Sequence, residues 1–145
     1  MTDKVVGGPY SLCSTPQKLI GAAKGTNEGG HVMANQEHLD ILKQGVETWN
    51  QWRLENGKVK IDLVGADLSE IHLRGANLQA AVLLGANLSK SDLRNADFRW
   101  ADLHNANLSF ALLQEANLSF ANLSCANLHL ANLHLALQPH LCYRD

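Results

Sequence analysis

The side chains that could do chemistry in this sequence are few, and their spacing argues against catalysis. Seven histidines raise the question of a metal. Yet His72, His104, His129 and His134 form no HxH or HxxxH pair beside a cysteine at ligand spacing, so no metal site is expected. The three cysteines, Cys13, Cys125 and Cys142, are odd in number, far apart and free of any CxxC motif. Free thiols in a reducing compartment are the expectation, with one long-range disulfide as the alternative. There is no Ser-His-Asp order, no inward pair of carboxylates and no Gly-rich phosphate loop, so neither an enzyme nor a cofactor is expected. What remains is surface chemistry. Arg74, Arg94 and Arg99 are the side chains that would hold a phosphate or carboxylate, and Trp100, Phe110 and Phe120 are those that would bury against a partner.

Composition bounds what can position these residues. A chain of 145 residues, 46% hydrophobic, has room for one domain with a real core. The net charge of -2 lacks the basic excess of a general nucleic-acid binder, so nucleic acid is not an expected partner. The start, MTDKVVGGPYSLCSTPQKL, has no basic stretch followed by an apolar run of signal-peptide length, and nowhere do 18 apolar residues run together. A cytoplasmic location without a membrane anchor is the expectation.

The organising signal is a repeat. From residue 61 onward every fifth residue is leucine, from Leu63 to Leu133, with Phe98 as the single exception among fifteen. Two residues earlier stands alanine in 12 of the 15 units, so a small side chain is wanted there, with Ile61, Ile71 and Ser91 as departures. Just before the leucine stands Asp or Asn in 12 of 15, with His72, Val82 and Leu112 departing. A period of five matches neither 3.6 nor 3.5, because the leucines would spiral around every side of a helix. Within a unit, however, Ala and Leu are two apart and share one face of a short extended segment, with Asp or Asn facing out. Such a segment cannot bury its face alone, so units must turn a corner and stack in coils. The short polar side chain fits the turn, since it bonds readily to nearby backbone.

The consensus A(D/N)LXX, as in Ala66-Asp67-Leu68, Ala86-Asn87-Leu88 and Ala126-Asn127-Leu128, resembles the pentapeptide-repeat family over about half the chain. The resemblance implies an all-β repeat solenoid, a right-handed four-sided β-helix with four units per turn and just under four coils. At roughly 4.8 Å between stacked strands, such a rod is about 18 Å tall.

With twenty residues per coil, positions twenty apart stack on one face. Val64, Val82 and Leu84 then form an apolar patch at normally polar positions, where the N-terminal arm or the capping helix is expected to dock. Trp100 lies over Phe120, and Phe110 over Leu130, as candidate interaction surfaces. Arg74, Arg94, Gln114 and His134 share a strip with Arg99 around the next corner. A solvated face with Asp92 and Asp97 as local ion-pair partners is the plainer expectation there.

Residues 35–57 read as one amphipathic helix, with Leu39, Leu42, Val46 and Trp49 at three- and four-residue spacing, Asn35 as N-cap and Gly57 as the stop. Its task is to cover the open start of the solenoid, which spans 58–138. Residues 1–34 form an arm, and 139–145 a short tail that leaves the far end thinly covered, open to self-association as a homodimer if the chain is not a monomer.

The function expected is a non-enzymatic module for protein–protein interaction, similar to short cyanobacterial members with a helical cap. The alternative that the resemblance implies is mimicry of duplex DNA toward DNA gyrase or topoisomerase. Against it, residues 61–135 hold seven acidic and four basic residues, leaving 7 − 4, or three, net negative charges. Duplex DNA carries about one charge per 1.7 Å of axis.

Overall fold

The computed structural model describes residues 33–138. Two short helices, α1 (Gln36–Lys43) and α2 (Val46–Glu55), precede the repeats. Sequence periodicity predicts a single helix here, and the chain departs from it at Gly45. That residue has φ 119°, a conformation that L side chains rarely adopt, and it ends one helix and starts the next. The expected N-cap holds: the Asn35 side chain accepts from the N–H groups of Glu37 and His38.

From Asp62 to Leu137 the chain winds into coils of twenty residues. Isolated parallel bridges join Asp62 to Val82, Val82 to Asp102 and Asp102 to Asn122, and likewise on the other three sides. Each side is too short for a long ladder, so the coils are held by three N–H bonds per unit, from the leucine, the Asp or Asn and the fifth residue (as Gly85 to His104 O at 2.9 Å), and by what lies inside. The leucine N–H donates forward to the next coil, as Leu83 does to Asp102 O at 2.7 Å. The Asx N–H donates back, as Asn107 does to Ala86 O at 2.9 Å.

The corner is the fifth residue of each unit. Every one from residue 65 to residue 135 has positive φ, between 54° and 74°. The alanine after it donates back to the preceding leucine carbonyl and closes the turn, as in Ala96 to Leu93 at 3.1 Å. The Asx role is visible in detail, because all 12 Asp or Asn residues of the consensus position accept the N–H two residues on, such as Ser109 to Asn107 at 3.1 Å. Asparagine side chains also bond along the rod, from Asn127 to Asn107 and from Asn107 to Asn87.

The core is one cluster of the inward Leu, Phe98 and Ala side chains, sealed at 0 to 1% exposure through the middle coils. Ser91, a departure from alanine, stays buried because its hydroxyl donates to the Leu88 carbonyl. No helix among the described residues is long and apolar enough to cross a membrane.

Candidate interaction surfaces

The two ends of the rod are built differently. At the start, the helices bond into the first coil. Trp49 is fully buried and its indole N–H donates to the Asn77 carbonyl at 2.8 Å. Asn50 accepts the Asn77 N–H and donates to the Gly75 carbonyl. His38 accepts the Asp62 N–H through Nδ1. Arg53 donates to the carbonyls of Gln79 and Val59, while its buried Nε has no partner. Burial pulls the Arg53 guanidinium below its ordinary value, and the charge of Asp97 opposes this. The periodicity points to Trp49 and Leu42 as core. It does not point to Asn50 or Arg53, whose polar type resembles a solvated face.

Along the sides, the structure brings Trp100 and Phe120 together. Their rings stack nearly parallel, with centroids 5.4 Å apart and planes 7° from alignment, and both are more than half exposed. Phe110 meets His129 edge-on at 5.8 Å, and Leu130 is exposed in the same corner column. Ten residues are half a coil, so the Trp100 and Phe110 columns occupy opposite corners of the rod and do not form one surface. All four are corner residues: Trp100, Phe110, Phe120 and Leu130 have φ of 57°, 59°, 60° and 54°. For bulky L residues this is a costly backbone state. Leu112, Leu135 and Leu137 are exposed as well. Among these, only Leu112 carries a signal in the sequence, as a break in the Asp/Asn series.

The arginine strip is divided. Arg94 makes a two-pronged contact to Asp92, at 2.8 and 2.6 Å, and Arg99 does the same to Asp97, at 3.0 and 2.7 Å. Both guanidinium groups are held above their ordinary value by these bonds. The Arg94 bond holds the Asp92 carboxyl low; at Asp97 burial pushes up, but the Arg99 bonds and charge outweigh it. Arg74 is exposed on the coil below. In the apolar patch, Val64 is buried while Val82 and Leu84 are half-buried. Residues 1–32, most of the arm expected to dock there, lie outside the described residues, as does the tail 139–145.

Cys125, a corner residue, is disulfide-bonded. The structure thus takes the disulfide alternative at this position in place of the free thiol expected. Cys13 and Cys142 lie outside the described residues. No group of three or more His, Cys, Asp or Glu positioned for a metal occurs among the described residues. A shallow depression beside α2 is lined by Leu54, Glu55, Asn56, Gly57, Lys58 and Val59, which assemble no nucleophile and base.

Sequence comparison decides the family, because the pentapeptide repeat profile matches residues 61–99 and 101–137 in eight copies. The chain belongs to the pentapeptide-repeat family. Its members fold as right-handed four-sided β-helices, in accord with the twenty-residue coils seen here. A pentapeptide repeat protein of the Arabidopsis thaliana thylakoid lumen is 40% identical, with a TM-score of 0.51, over 52% of each chain. This chain therefore spans about half the length of that relative. A pentapeptide repeat protein from Nostoc PCC 7120 is 36% identical over 52% of this chain and 68% of its own, with a TM-score of 0.45. HetL from Nostoc sp. strain PCC 7120, described as involved in heterocyst differentiation regulation, is 35% identical over 49% of this chain and 38% of its own, with a TM-score of 0.38. Comparison with curated proteins finds no match.

Proposed function

We propose that this pentapeptide-repeat chain is a non-enzymatic protein-binding module, with the N-terminal helices as the cap of the rod and the Trp100–Phe120 corner as its contact surface. The observation that carries the reading is the parallel, exposed ring pair at positive φ. A backbone in that state is best served by Gly or Asn, and water is best served by a polar side chain. Trp and Phe satisfy neither, but both are enriched where proteins meet. A corner projects from the rod, so the pair is presented to a partner without rearrangement.

The DNA-mimic alternative has less support. Two of the seven acidic residues are tied to arginines, and the repeat region beyond Glu115 carries no Asp, Glu, Lys or Arg. The experiment is a pull-down from lysate of the source organism comparing wild type with a Trp100→Glu, Phe120→Glu double variant, both shown to be folded by circular dichroism. A protein retained by the wild type and lost by the variant supports the reading. Identical captures, or none, refute this corner as the contact surface.

A further inference from the structure

We propose that Cys125 and Cys142 form a reducible staple that holds the last coil of the rod closed, and that a dithiol reductant is the class of substrate that opens it. The inference stands apart from the Trp100–Phe120 corner and needs no partner protein there.

The first observation is the bond itself. Cys125 is disulfide-bonded, and the chain has two other cysteines, Cys13 and Cys142, both outside the described residues. Cys125 takes φ 59° in the corner column of Gly65, Gly85 and Asn105. Those three are the residue types that the left-handed state favours, so backbone preference does not account for a cysteine after them. Cys125 is only half-buried, which leaves its sulfur open to an attacking thiolate.

The second observation selects the partner. The chain stays in register as far as Leu137, whose N–H donates to the Ala116 carbonyl and whose own carbonyl accepts from Leu118. Cys142 is five residues further on. Five extended residues reach about 17 Å, and a disulfide adds about 4.4–6.8 Å between Cα atoms. Along the coil, the path from the Leu137 column to the Cys125 corner takes eight residues, from 117 to 125, because it turns a corner on the way. A straight course needs fewer. Cys13 is tethered at the opposite end, twenty residues before Met33, where the Asn35 N–H donates to the Asp62 carbonyl of the first coil. Effective concentration falls with about the −3/2 power of tether length, so the five-residue tether has an advantage of about eightfold. The coils between Asp62 and Asn122 add to the distance that Cys13 would have to cross.

The third observation gives the staple its role. In the inner coils the N–H groups of Leu103, Leu108 and Leu113 donate to the following coil, whereas those of Leu123, Leu128 and Leu133 have no partner among the described residues. Ala121 is buried, but Ala126, Ala131 and Ala136 are only half-buried. The last coil is thus held from one side and opens at the lowest cost. A cross-link from its corner to the tail restricts the opened states and keeps it closed. Opening is a two-electron exchange. A thiolate of the reductant attacks one sulfur of the staple, the S–S bond breaks, and a mixed disulfide forms while the departing thiolate takes up a proton. The reductant's second thiol then displaces the remaining cysteine, so both cysteines end as thiols and the reductant as a disulfide.

The test uses the 145-residue chain purified without reductant. No Lys or Arg lies between Arg99 and Arg144, so one tryptic peptide carries both Cys125 and Cys142, and Cys13 lies on another. The expected result is that peptide unalkylated and two hydrogens light, with Cys13 alkylated. Adding dithiothreitol should speed amide exchange across residues 121–137 by at least about tenfold and leave residues 81–100 unchanged. A Cys142→Ser variant should exchange like the reduced protein without any reductant, and Cys13→Ser should behave as wild type. A bond between Cys13 and Cys125 overturns the proposal, as do three free thiols, exchange in the last coil that ignores the reductant, or slow exchange retained in Cys142→Ser.

Discussion

The positive φ at every corner makes an unusual prediction: replacing alanine by glycine should stabilise this protein. Ala80 has φ 56°, is exposed, and contributes to the coil through its N–H bond to the Arg99 carbonyl at 2.8 Å, which glycine keeps. The left-handed state costs an L residue about 1–2 kcal/mol, all of which glycine removes. Against this, glycine loses about 0.5–1 kcal/mol more conformational freedom on folding. The exposed methyl adds little, so Ala80→Gly should gain about 0.5–1 kcal/mol, a rise of a few degrees in Tm. The reverse change isolates the same quantity. Gly75 has φ 74° and a Cβ built there meets nothing within 4 Å, so Gly75→Ala should lose a similar amount through backbone strain alone. Urea unfolding followed by circular dichroism reads both as opposite shifts in midpoint at unchanged slope. The reasoning fails if Ala80→Gly lowers the midpoint or Gly75→Ala leaves it in place.

Other expectations follow from the core, the ion pairs and the disulfide. Phe98 lies fully buried between Leu78 and Leu118 of the same column; Phe98→Ala should cost about 3–5 kcal/mol in urea unfolding and Phe98→Leu, which restores the repeat, less than about 1.5. Asp92 and Asp97 have folded-state carboxyls held below the usual range, so their contribution is present above the unfolded value near 3.9 and is lost as pH falls through the folded value. An Asp92→Asn, Asp97→Asn variant should therefore differ from wild type at pH 7 and converge with it in acid; a constant gap at all pH values would contradict the pairing. With Cys125 disulfide-bonded, alkylation without reduction should modify one of the three cysteines, and reduction should release the other two. Three reactive thiols in protein taken directly from cells would contradict the disulfide, whereas a single one would place the chain in an oxidising compartment rather than the cytoplasm.

The repeat could be read from sequence because its period matches no helix and each position has one physical duty. Leu fills the axis, Ala sits beside the corner, and Asp or Asn binds the N–H two residues on. The break between α1 and α2 was hidden because Leu42, Val46 and Trp49 keep helical spacing straight across Gly45, and only φ reveals the kink. The Trp100–Phe120 stack follows from counting by twenty. What counting omits is that these residues are corners, which changes their meaning: on a flat side an aromatic shields its neighbours, but on a left-handed corner it strains the chain. Asn50 and Arg53 were illegible because a polar residue aimed at a carbonyl looks, in sequence, like one aimed at water.

The corners taken in chain order carry a gradient. Gly65, Glu70, Gly75 and Ala80 begin the rod; Gly85, Lys90, Asn95 and Trp100 follow, then Asn105, Phe110, Glu115 and Phe120, then Cys125, Leu130 and Leu135. The backbone makes the same demand at each, φ near +60°, so it cannot be the source of the trend from glycine toward Trp, Phe and Leu. Solvent cannot be either, since these side chains are the exposed ones. Both influences push toward Gly and Asn, as the first coils display, and a large apolar residue opposes both. That departure, interrupted only by Asn105 and Glu115 in the far half of the rod, is what the proposed contact surface at the Trp100–Phe120 corner would account for. The rod is thus asymmetric in structure, with its helices bonded into the first coil at one end and the large apolar corners gathered toward the other.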